Sequence, residues 1–82
     1  MKYPNEQEVF EQFGRRLKLL RKKYKLSQSA LGGKSNLEKS LIQRLERGSN
    51  VTLKTLIQIA NGLDIELLDL LNVNEKENTI SK

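Results

Sequence analysis

Cysteine, histidine and tryptophan are all absent from this chain of 82 residues, and proline and methionine occur once each. Without cysteine there is no disulfide staple, and without cysteine or histidine the usual zinc sites cannot form. Histidine is also the commonest general base near neutral pH, so its absence removes the simplest route to acid–base catalysis. No glycine-rich phosphate cradle and no pair of carboxylates on one helical face compensates. An enzyme is therefore not expected, and no cofactor is implied. No apolar run approaches the roughly 20 residues that cross a bilayer, and no signal-type segment precedes the domain. The expectation is a cytoplasmic protein with no membrane partner.

Charge is present in excess and unevenly. The formal net charge is +5, but residues 1–50 hold twelve Lys/Arg against five acids, +7, while residues 51–82 hold three against five, −2. Positive charge gathered in one half suits a polyanion facing that half. Taken alone it also fits an ordinary solvated helix face, so it does not decide the matter.

The apolar spacing is helical throughout, with no alternating strand pattern. Residues 1–7, with Pro4, read as a flexible leader. Phe10, Phe13, Leu17, Leu20 and Tyr24 recur at three- and four-residue steps and predict a first helix from Glu8 to about Tyr24, with Arg15, Arg16, Lys18, Lys22 and Lys23 outside. Ser27 caps a second helix. Gly32 and Gly33 lie within it, Gly32 as a point of close helix contact and Gly33 with no evident purpose. Asn36, which tolerates positive φ, is the expected turn residue. A third helix starts near residues 37–38 and stops at Gly48. Thr52 caps a fourth, Leu53–Leu63, expected to bury Leu53, Leu56, Ile57, Ala60 and Leu63. A short fifth spans about Glu66–Leu71. The result is one all-α domain over residues 8–71, followed by a polar tail, 72–82, expected to be disordered.

The third helix is the informative one. At ~100° per residue, Leu37, Leu41, Ile42 and Leu45 share one arc, and Lys39, Ser40, Gln43, Arg44 and Arg47 occupy the other. A guanidinium can bond guanine O6 and N7 together, and an amide can bond adenine N6 and N7. Arg44 and Gln43 are side chains of those two kinds. Lys39 and Ser40 occupy the first turn, where recognition helices meet base edges. Gln28, opening the second helix, can bond a phosphate beside the free first-turn amides. Lys22, Lys34 and Arg47 are further candidate phosphate contacts. Two helices joined by a tight turn, the second with a basic, amide-bearing outer face, form a unit suited to the DNA major groove.

The stretch from Phe13 to Leu71 resembles the Xre-type helix-turn-helix family, which includes the phage repressor and Cro DNA-binding domains. The residues carrying the resemblance are FGRRLKLLR, LSQ, the LERG that ends the third helix, and TLKTLIQIANGLDIELLDLL. It implies a compact five-helix bundle of the lambda-repressor-like type with a central helix-turn-helix, its recognition helix at about 37–47. It makes Gln28 a phosphate clamp and Lys39, Ser40 and Arg44 base readers, with Gln43 beside them. It also pairs Arg21 with Glu46 as a structural ion pair. The function implied is a sequence-specific transcriptional regulator, a repressor or controller-type protein, that binds a palindromic operator in double-stranded DNA as a homodimer. The alternative is an antitoxin or adaptor whose main partner is a toxin or another protein.

Overall fold

The computed structural model describes residues 5–72; Met1–Pro4 of the expected leader and residues 73–82 of the expected tail lie outside the described residues. Among the described residues the chain forms five helices and no strand: α1 (Glu6–Lys23), α2 (Gln28–Ser35), α3 (Lys39–Glu46), α4 (Leu53–Leu63) and α5 (Leu67–Leu70). α3 packs against α1 and α2, α2 also packs against α4, and α5 closes on α4.

Side chains that can replace a missing carbonyl set the helix starts. The Asn5 side chain accepts the Glu8 N–H at 2.8 Å, so α1 begins at Glu6. Glu6 and Gln7 are therefore helical, which shortens the expected 1–7 leader. Ser27 accepts the Ala30 N–H at 2.9 Å and Thr52 the Thr55 N–H at 3.1 Å, each supplying the acceptor that a first helical turn lacks. Glu38 occupies the same position before α3 with extended backbone but forms no side-chain capping bond. The recognition helix thus runs over Lys39–Glu46 rather than 37–47, and Leu37 belongs to the turn.

Four helices end by one device. A residue in left-handed backbone follows the last turn, and two N–H groups fold back onto carbonyls of that turn. Lys25 (φ 59) ends α1, Asn36 (φ 59) ends α2, Gly48 (φ 102) ends α3 and Asp64 (φ 57) ends α4. After α2, the Leu37 N–H donates to Gly32 O at 2.8 Å and the Asn36 N–H to Gly33 O at 3.3 Å. Asn36 and Gly48 behave as their residue types suggest. Lys25 is the departure, because lysine has no short polar group to stabilise that conformation locally.

Every helix contributes a side chain with no exposed surface to one core: Leu17 from α1, Leu31 from α2, Ile42 and Leu45 from α3, Ile59 from α4 and Leu70 from α5. Burial of such a side chain stabilises by about 1.5–3 kcal/mol. Leu37 and Leu41 pack against this core while half-buried. Three expectations fail at its margin. Tyr24 is exposed, with the Lys23 ammonium 5.9 Å from its ring centre, because α1 ends just before it. Phe10 is only half-buried. Leu53 and Ile57 of α4 are exposed, at 61% and 45%, and Ile59 takes the buried position instead. α4 carries apolar residues on nearly every side, so periodicity could not say which side meets the core.

Candidate nucleic-acid interface

α3 and the turn that leads into it lie close against two helices, each of which presents a glycine at the contact. A Cβ at Gly14 of α1 would lie 2.6 Å from Leu45 O and 2.8 Å from Glu46 O, inside van der Waals contact with backbone that cannot move aside. A Cβ at Gly32 of α2 would lie 2.6 Å from Leu37 O. The exit of α2 is held from below: Gln58 Nε2 of α4 donates to Ser35 O at 3.3 Å and to Asn36 O at 3.4 Å, and Gly62 packs on the buried Ser35 side chain. Beyond α3, Gln7 Nε2 donates to Gly48 O at 3.2 Å. The turn and both ends of α3 are therefore fixed by groups from α1, α2 and α4.

What remains outward on α3 is polar. Lys39, Ser40 and Arg44, and Arg47 just past its end, are exposed and Gln43 is half-buried, while Ile42 and Leu45 face the core. Ser40 and Arg44 stand one turn apart, the spacing that places side chains on one helical face.

A charged contact fastens α1 to the inner edge of α3. Arg21 Nε donates to Glu46 Oε2 at 2.6 Å and Arg21 Nη2 to Glu46 Oε1 at 3.1 Å, a two-point contact between side chains only 10% and 5% exposed. Arg21 Nη1 donates to Leu26 O at 2.9 Å, so the guanidinium is well satisfied. Its pKa is raised above the ordinary arginine value chiefly by the Glu46 hydrogen bond; burial opposes the rise and the carboxylate charge adds to it. Gln28 joins the same group, its Nε2 donating to Glu46 Oε1 at 3.1 Å.

Two open clefts flank this cluster. One, of about 380 Å³, is lined by Lys18, Lys22, Ser27, Gln28, Ser29 and Lys39, with Arg21 and Glu46 also on its wall. The other, of about 310 Å³, is lined by Lys18, Gln28, Gln43, Glu46 and Arg47. Expected site residues Lys22, Gln28, Lys39, Gln43 and Arg47 thus converge around the start of α2 and one side of α3. Lys34 is exposed in the last turn of α2 and lines neither cleft. Lys18 lines both and was not singled out as a contact from sequence. Its spacing of four from Lys22 on one helix was the available signal.

A bihelical unit with a fixed turn, a cationic outer helix and a polar groove at the start of the preceding helix defines a DNA-binding protein of the helix-turn-helix class. The helix-turn-helix family (HTH_3) matches residues 17–70, and the chain belongs to it. Its function is that of a DNA-binding transcriptional regulator. Among solved structures it is similar to the restriction-modification controller protein C.AhdI from Aeromonas hydrophila, with 40% identity, TM-score 0.72, and coverage of 74% of this chain and 94% of that one. It is also similar to the restriction-modification controller protein C.Esp1396I, with 26% identity, TM-score 0.76, and coverage of 92% and 99%. A search of curated proteins finds no match.

Proposed function

We propose that the protein is a controller-type regulator, a repressor in its simplest mode, that binds a palindromic operator as a homodimer in the cytoplasm. Each α3 enters a major groove. Lys39, Ser40, Gln43 and Arg44 read base edges, and Gln28, Lys22, Lys34 and Arg47 hold phosphates, joined by Lys18. The carrying observation is the outward polar face of α3, fixed at both ends by three other helices. Similarity to two restriction-modification controllers supports control of such a system's genes. No enzymatic step belongs to this reading.

Dimerisation is supported by α4 and α5. Leu53 and Ile57 are exposed one turn apart on α4, and Leu68 of α5 is 80% exposed. Ile57 also borders an open cleft of about 540 Å³ with Ala60, Ile65, Leu67, Asp64 and Glu66. Lys54 stands at the start of α4 and these acids at and beyond its end. Two α4 helices laid antiparallel about a two-fold axis would set each lysine near the partner's acids, a self-complementary contact. Selection of bound duplexes from a random pool tests the reading. The expected product is two inverted half-sites with centres about 34 Å apart, or a multiple of that. Recovery of single, unpaired sites would refute the dimeric mode, and recovery of no common sequence would refute specific readout.

A further inference from the structure

Resting on the reading that the start of α2 faces the DNA backbone, we propose that Glu46 is a positioning residue for DNA binding: it orients the Gln28 amide so that a donor points at phosphate. The carboxylate has only acceptor atoms, so the Gln28 atom facing it must be Nε2 rather than the carbonyl oxygen. One N–H of the amide is used at 3.1 Å from Glu46 Oε1. The second N–H is on the same nitrogen, directed away from the carboxylate, and Gln28 lines a cleft whose other walls include Lys18, Lys22, Ser29 and Lys39. That cleft is complementary to an anion. With the amide reversed, its carbonyl oxygen would face a phosphate oxygen, and two acceptors repel.

Glu46 can do this because it is itself held in place by its partners. Both of its oxygens accept from Arg21, and its side chain is 5% exposed. The first-turn N–H groups of α2 that precede Ala30 have no carbonyl one turn back to accept them, and they add to the same anion-attracting corner. An acid, ordinarily unfavourable beside DNA, has its oxygens engaged by Arg21 and Gln28 and contributes to the phosphate grip through Gln28. Glu46 therefore links the packing of α1 on α3 to the hold of α2 on the backbone.

The test is a double-mutant cycle on the full chain: wild type, Gln28→Ala, Glu46→Gln and the pair, at a temperature where circular dichroism shows each folded. Affinity is measured for the selected operator and for an unrelated duplex of equal length, over a range of salt. Gln28→Ala and Glu46→Gln should each weaken both duplexes by about tenfold, the scale of one hydrogen bond to a charged group. The pair should be no weaker than Gln28→Ala alone, and the salt slope should not change, since no cation is lost. Additive losses, or a Glu46→Gln protein that binds like wild type while Gln28→Ala is weakened, overturn the positioning role and leave the phosphate contact standing. A Gln28→Ala protein that binds like wild type removes the phosphate contact as well. Should Glu46→Gln not fold, the Gln28 side-chain protons of the wild-type protein decide by NMR. One should be protected with and without DNA, and the other should shift when DNA binds; two freely exchanging protons overturn the inference.

Discussion

α3 and α4 are both short amphipathic helices with one face on the shared core, yet they turn opposite chemistry outward. α3 shows Lys39, Ser40 and Arg44, with Arg47 just past its end; α4 shows Leu53 and Ile57 beside Lys54 and Asn61. Their anchoring differs as well. α3 is fastened by a charged cluster, Arg21–Glu46–Gln28, whereas α4 sits on the core through Leu56, Ile59, Ala60 and Leu63. The contrast teaches that core packing leaves the outward face free to specialise, one toward a polyanion and, in the proposed dimer, one toward a second copy of the chain.

The largest expected effect breaks the anchoring of α3. Glu46→Ala leaves the Arg21 guanidinium nearly buried without its carboxylate, and breaking such a pair destabilises by about 3–5 kcal/mol. Chemical denaturation should show that loss. A loss below ~1 kcal/mol would mean that α3 is held mainly by apolar packing, and the contrast would fail. On the other helix, Leu53→Glu with Ile57→Glu should leave the monomer folded, since both side chains are already solvated. Sedimentation should show loss of the dimer, and affinity for the full palindrome should fall by about a hundredfold, the low end of the gain from bivalency. A dimer that survives both changes would place the interface elsewhere.

Two further changes separate kinds of contact within the cationic half. Arg44→Ala should cost about 1–3 kcal/mol on the selected operator and relax preference at one base pair. Equal loss on all duplexes would make Arg44 a backbone contact. Lys22→Ala should weaken every duplex alike and reduce the salt slope by about one. An unchanged slope would remove Lys22 from the phosphate contacts and leave Lys18 as the α1 residue to test.

The same contrast explains what the sequence could show. The polar arc of α3 was legible because Lys39, Ser40, Gln43, Arg44 and Arg47 interrupt an apolar pattern at helical spacing. Asn36 and Gly48 were legible because their residue types favour left-handed backbone. The exposure of Leu53 and Ile57 was not, since apolar side chains on opposite sides of α4 look alike until the neighbours are placed. The left-handed Lys25 carried no local signal. Arg21 with Glu46 followed from family resemblance, but the bond from Gln28 to Glu46 depends on where three helices meet. Gln58, which holds the exit of α2 from α4, was missed for the same reason.

The smallest effect is the sharpest on backbone grounds. Gly33 lies within α2, is exposed, and has helical neighbours on both sides. A Cβ built there meets nothing within 4 Å, whereas one at the adjacent Gly32 meets Leu37 O at 2.6 Å. Alanine restricts the unfolded chain more than glycine does and favours helix by up to ~1 kcal/mol. Gly33→Ala should therefore raise stability by up to that amount and leave DNA affinity unchanged. Gly32→Ala, one residue away, should do the opposite, because α2 must move off the turn that leads into α3. A Gly33→Ala protein that is less stable would show that α2 does not remain helical through this position in solution, and the seating of α3 against it would need another explanation.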